Sequence, residues 1–263
     1  MEIIICVKQV PNTAKIKIDP VRNTLVRSGV PSILNPSDRN ALETALRVKD
    51  ANGAHVTVVT MGPPQASAVL REALSLGADR AVLVTDRAFG GSDTFATSHI
   101  LSAVVRHLGG ADLVLGGVQA IDGDTGQTIP SLAAQLGAPV VSHALSLDVD
   151  GTNVVIVREV EEGTETVRGT LPLLVTVSPT ANKPRYASIE SKLASLAADI
   201  EEVGFDALAE HLDASHIGLK GSPTRVKSTY VPPRAAEGKR IPGITPDELA
   251  TALVSELATA KII

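Results

Sequence analysis

Three short stretches hold the residues best suited to gripping a ligand. The first is Gly117-Val118-Gln119-Ala120-Ile121-Asp122-Gly123-Asp124-Thr125-Gly126-Gln127-Thr128. Its glycines let a backbone approach a ligand closely, and free N–H groups at a helix start can receive a phosphate. Thr125 and Thr128 add hydroxyl donors. Asp122 and Asp124 repel phosphate, so they suit ribose hydroxyls or backbone caps. The same residues also read as a polar turn that merely caps a helix. The second stretch, Asn35-Pro36-Ser37-Asp38, reads first as a helix start capped by Ser37 or Asp38, with a ligand role for the Asn35 amide in addition. The third runs from Asp86 to Ser98. Gly90-Gly91 is a flexible pair, Ser92 or Asp93 can cap the next helix, and Asp86, Asp93, Thr94 and Thr97 add polar side chains.

The absences narrow the chemistry. Val7 is followed by Lys8-Gln9-Val10-Pro11, so no GxGxxG closes the first strand, and no Walker A, HExxH or GxSxG sequence occurs. The six histidines are scattered without metal spacing, and no nucleophile stands paired with a base. The chain reads as a nucleotide holder with no metal site and no catalytic side chain.

The elements that position these stretches follow from periodicity. Ile3-Ile4-Ile5-Cys6-Val7 is continuous and β-branched, which predicts a strand buried on both faces. Residues 15–19 and 24–27 suggest a small hairpin. A helix is expected from Asp38 to Asn52-Gly53, then strand 55–60, helix 69–76, strand 81–85, helix 93–108, strand 112–115 and helix 131–136. Such alternation implies a parallel sheet, the three stretches lying at the carboxyl ends of its strands, where open sheets bind ligands. Strands 154–157, 165–168 and 173–177 lack intervening helices, which predicts an antiparallel extension at one edge. No strand pattern is seen beyond Pro179. The expected fold is α/β, with residues 1–182 as the nucleotide-binding domain and 183–263 as a loop and C-terminal arm, of which 183–244 reads equally as disorder or as an arm lying on something else. In the final helix, Thr245, Pro246 and Glu248 form a capping-box start, and Leu249, Leu253, Val254 and Leu257 form a stripe that needs a docking surface.

Composition agrees. At 263 residues and 44% hydrophobic content the chain can bury a full core. A net charge of -5 argues against nucleic acid and anionic membranes, and no apolar run is long enough for membrane insertion. One cysteine and no signal-peptide pattern suit a reducing, cytoplasmic setting. Aromatics are only 2%, so a flat cofactor must rest on backbone groups and aliphatic walls.

Taken in series, Val7 to Pro11, Asn35 to Asp38, Leu74 to Arg80, Gln119 to Thr125 and Asn182-Lys183-Pro184-Arg185-Tyr186 resemble the motifs of the electron-transfer flavoprotein β subunit over nearly the whole chain. The resemblance implies a Rossmann-like, adenine-nucleotide hydrolase-like fold paired with an FAD-bearing α subunit. In simple members the β subunit holds AMP at positions matching Cys6, Asn35 to Asp38, Met61 and Gly117 to Thr128. In electron-bifurcating members and the similar nitrogen-fixation-linked branch, a second FAD occupies that pocket. Residues 61–66, 86–98 and 218–224 resemble the bifurcating branch. The resemblance then implies NADH as donor, ferredoxin or flavodoxin as low-potential acceptor, and an acyl-CoA dehydrogenase-type partner met by a recognition loop with Ile189 as its anchor. Ile189 also fits internal packing at the 189, 193, 196 spacing. Three departures stand out: Val118 in place of a usual Lys or Arg, Ile129 in place of Gly, and Lys183 before Pro184. Other readings are a nucleotide-hydrolysing enzyme of the related fold and a homodimeric binding module.

Overall fold

The structure is a computed structural model and describes residues 1–12, 18–19, 24–25, 31–228 and 238–263. In chain order, β1 (Glu2–Cys6), α1 (Pro36–Asn52), β2 (His55–Met61), α2 (Ser67–Leu76), β3 (Arg80–Val84), α3 (Thr94–His107), β4 (Leu113–Gly117) and α4 (Thr128–Leu136) alternate. Then come β5 (Val140–Asp150), β6 (Asn153–Val160), β7 (Gly163–Thr170), β8 (Leu173–Val177), α5 (Ile189–Ala197), β9 (Glu201–Val203) and α6 (Pro246–Thr259). All nine labelled strands form one sheet in the order β7-β6-β5-β8-β4-β1-β2-β3-β9.

The α/β expectation holds. From β5 to β9 every neighbouring pair is parallel, and β6 and β7 add the expected antiparallel extension. Helices cover both faces, which is why the strands read as continuous apolar runs. Ile3 and Ile5 pack with Leu42 and Leu46 of α1 and Leu70 of α2. Ile4 points the other way, to Ile100 and Val104 of α3 and Leu132 of α4. Two residue pairs of the expected hairpin, Ile18↔Leu25 and Asp19↔Thr24, are antiparallel partners; the rest of that stretch lies outside the described residues.

Three expectations are corrected. Leu173–Val177 does not belong to the antiparallel extension: β8 is buried throughout and sits parallel between β4 and β5. β5 was not among the expected strands, although Leu145, Leu147 and Val149 alternate with polar residues along it; His143, near its start, has φ 61°. A strand does return beyond Pro179. β9, only three residues long and two-thirds glutamate, pairs parallel with β3 through Glu202↔Leu83 and its neighbours.

At the chain end, α6 begins with the expected capping box, the Thr245 hydroxyl accepting from the Glu248 N–H. Leu249, Leu253 and Val254 are exposed and Leu257 is half-buried, so the stripe does not pack on the described part of its own chain. Among the described residues no helix is long and apolar enough to cross a membrane.

Candidate functional site at the carboxyl edge of the sheet

A cleft of about 1290 Å³ opens at the carboxyl ends of β1, β2, β3 and β4. Four loops wall it: the one after β1 (Lys8 to Pro11), after β2 (Met61 to Ala66), after β3 (Asp86 to Thr94) and after β4 (Val118 to Thr128). Such a volume exceeds the ~300–1,000 Å³ of ordinary small-molecule pockets.

Asp38 ties two of these walls together. Its carboxylate accepts from the Lys8 N–H at 2.8 Å and from the Gly117 N–H at 3.1 Å. A Cβ at Gly117 would sit 2.5 Å from the Asp38 carboxylate and 2.6 Å from Ser37, so the end of β4 can pass this close to α1 only as glycine. Asn35 adds a second tie. Its amide donates to the Gln119 carbonyl at 2.9 Å and accepts from the Ile121 N–H at 3.2 Å. Asn35, and neither Ser37 nor Asp38, is the N-cap of α1, and no side chain caps that helix. The capping expectation fails because the polar side chains at this terminus serve the neighbouring loops.

Burial dominates the electrostatics here. It pushes the Asp38 carboxyl from 3.8 up to about 7, against the pull of its amide donors and Lys8. It also pushes the Cys6 thiol up to about 12, helped by the nearby Asp38 charge, so Cys6 offers the cleft a neutral, unreactive floor.

Beyond β4 the chain turns through left-handed Asp124 (φ 55°) and Gly126 (φ 61°), conformations that Asp and Gly tolerate best. No side chain caps α4, and Gln127, Thr128 and Ile129 at its start line the cleft. This matters for the two readings of the 117–128 stretch: a turn that merely caps α4 is not what forms. Asp122 is turned away from the cleft, its side chain only 4% exposed and paired with the Lys8 ammonium at 2.6 Å.

The loop after β3 is held from behind. Asp86 accepts from the Ala88 and Phe205 N–H groups. Asp93 caps α3 through the Ala96 N–H, and its second oxygen accepts from the Thr224 N–H and hydroxyl at 2.9 and 2.8 Å. Ser92 accepts from the Gly218 N–H, and Ser222 from the Asp93 N–H. Residues 205–224 therefore buttress this wall, and Thr224 itself reaches the cleft.

Of the residues singled out from sequence, Cys6, Asp38, Met61, Asp86, Asp93, Thr94, Thr97, Gly117 to Ala120 and Gly123 to Thr128 line the cleft. Asn35, Pro36, Ser37, Ile121 and Asp122 stand behind it. Lys8, Gln65, Phe89 and Thr224 also line it and were not singled out. Phe89, Thr224 and Lys8 lie in the 86–98, 218–224 and Val7 to Pro11 stretches that carry the family resemblance, but the side-chain partner of Lys8 lies 114 positions away.

Ile189, at the start of α5, does not line the cleft. It is 83% exposed, and Leu193, Leu196 and Tyr186 are exposed with it, so the internal-packing alternative does not occur among the described residues. The α5 carbonyls of Ser195 and Leu196, with that of Ala198, accept from Arg71 on α2. Arg185 is anchored by a bidentate contact to buried Glu43 and a further bond to Asp50. Among the described residues no cluster of His, Cys, Asp and Glu could hold a metal ion.

Comparison with known proteins adds one family match and three relatives. Residues 22–208 match the family described as "Electron transfer flavoprotein domain". The chain is 48% identical over 92% of its length, and 92% of the relative's, to "Electron transfer flavoprotein subunit beta" of Clostridium acetobutylicum. It is 45% identical over the whole of both chains to "Caffeyl-CoA reductase-Etf complex subunit CarD" of Acetobacterium woodii, and 41% identical to "Protein FixA" of Azorhizobium caulinodans over 98% of this chain and 94% of that one.

Proposed function

Because this chain belongs to the electron-transfer flavoprotein β-subunit family, we propose that its rim cleft holds FAD and that the chain passes electrons as one half of a heterodimer. The observation that carries this reading is the length of the cleft. It runs from the glycine-rich turn after β4 to the loop after β3, three strand spacings away, or roughly 14 Å. In this reading AMP at the β4 end would leave the loop after β3 without a role, whereas a dinucleotide would engage the loops at both ends.

In this reading the 117–128 loop and the start of α4 receive the phosphates, and Asp38 and Asn35 hold the two loops at the correct separation. Thr94 and Thr97 supply hydrogen bonds at the far end, with Asp86 and Asp93 keeping that wall in place. Bound FAD would accept a hydride from NADH and release its two electrons singly, one to ferredoxin or flavodoxin and one toward an α-subunit flavin. The protein's share is binding, orientation and tuning, and no side chain has to act as acid or base. Residues 183–263 would form the recognition loop and an arm on the α subunit, for which the uncovered stripe of α6 is suited. Ile189 would anchor an acyl-CoA dehydrogenase-type flavoenzyme. The Acetobacterium relative, named for a complex with a caffeyl-CoA reductase, is in keeping with such a partner. A reducing cytoplasm completes the picture.

Counting nucleotide per purified heterodimer tests the proposal. Two FAD are expected. One FAD with one AMP would make this a simple carrier with a structural nucleotide, and no nucleotide in this subunit would remove the reading altogether.

A further inference from the structure

Resting on the nucleotide-holding reading above, we propose that Lys8 is the residue that neutralises the ligand's phosphates, and that Asp122 is the counter-ion that aims it. Among the described residues lining the cleft, only Lys8 and Arg87 carry cationic side chains. A pyrophosphate brings negative charge into a space already lined by the carboxylates of Asp86, Asp93 and Asp124, so a cation near its landing place has much to contribute. Arg87 follows β3, roughly 14 Å across the sheet from β4, whereas Lys8 follows β1, the strand beside β4, at about 4.8 Å.

Placement favours Lys8 further. Its backbone is fixed at both polar atoms, the N–H donating to Asp38 and the carbonyl accepting from the Asn35 N–H at 2.9 Å. Its ammonium lies 2.6 Å from the Asp122 carboxylate, and a Cβ on Gly123 would come within 4.0 Å of it. Asp122 is almost fully covered while the Lys8 side chain remains 46% exposed, so the pair is open on the lysine side. An ammonium has three donors. One can stay on Asp122 while the others turn to an anion over the glycine loop. Val118, set directly in that loop, supplies no charge; Lys8 brings it from a neighbouring strand.

A purely structural lysine would serve only to neutralise Asp122. The double variant Lys8→Gln with Asp122→Asn separates the two roles, since it removes the cation and the carboxylate together. The full chain, stripped of nucleotide, is titrated calorimetrically with ADP and with adenosine. Loss of a charge-assisted contact should weaken ADP binding by about ten- to a hundred-fold while leaving adenosine binding unchanged. Native-like ADP affinity in the double variant, or an equal fall for both probes, would overturn the assignment. If the unmodified chain binds neither probe, the nucleotide reading itself is what fails.

Discussion

Asp38 reaches across from α1 to accept the backbone N–H of Gly117, at the end of β4, over 3.1 Å. Gly117 is where it is because the Asp38 carboxylate already occupies the space a side chain would need. With the Lys8 N–H on its other oxygen, this one carboxylate sets the separation of the two loops that flank the mouth of the cleft.

Replacing Asp38 with Asn keeps one acceptor and turns an NH2 toward a backbone donor. We expect a loss of about 1–3 kcal/mol and weaker nucleotide binding. Burial raises the Asp38 carboxyl from 3.8 to about 7, so across that window the folded chain keeps a proton that the unfolded chain releases. Stability from the neutral carboxyl is therefore lost as pH rises through the window and is level above it. The difference in unfolding free energy between native and Asp38→Asn protein, from urea titrations at stepped pH, should carry that slope. A pH-independent difference would count against it.

Gly117→Ala tests the close approach. The added methyl must displace Asp38 or Ser37, and overpacking of this kind costs about 1–3 kcal/mol. A crystal structure of the variant should show the start of α1 shifted and the Asp38 bond broken.

Asp93→Ala removes the cap of α3 and the hold on Thr224 at once. Lost capping alone predicts about 1 kcal/mol. Proteolysis should then reach residues 205–224 faster than in the native chain, and the FAD proposed for this subunit should dissociate sooner. A flavin lost equally from both subunits would point to general unfolding instead.

Arg185→Ala strips buried Glu43 of its bidentate partner. Burial opposes ionisation of Glu43, yet Arg185 and Arg47 outweigh it and hold the carboxyl below its ordinary 4.5. That contribution is complete above 4.5 and is lost as pH falls through the depressed value. The variant should thus lose about 1–3 kcal/mol at neutral pH and progressively less in acid, as read from thermal melts across pH.

Ile189→Glu should leave stability within about 0.5 kcal/mol of native, since the side chain is exposed. Electron transfer to the proposed dehydrogenase partner should nevertheless fall steeply, with the nucleotide content of the cleft unchanged. Normal transfer would remove Ile189 from the docking surface.

Local residue patterns are enough to dictate the alternating core. Ile3-Ile4-Ile5 had to be a strand covered on both faces, the 3.6-residue spacing of Leu42 and Leu46 had to be a helix, and glycine-rich turns had to follow buried strands, because each pattern is a local consequence of backbone geometry. Tertiary structure alone decided which distant segments meet. β9 is too short and too acidic to announce itself, and it becomes a strand only because β3 offers an open edge. Asn35 and Asp38 have the residue types of helix caps, and they act instead on loops up to 86 positions away. Lys8 acquires its place beside the glycine loop only when β1 lies against β4. Pairings of this kind are set by strand order, a property of the packed sheet that no short window of residues contains.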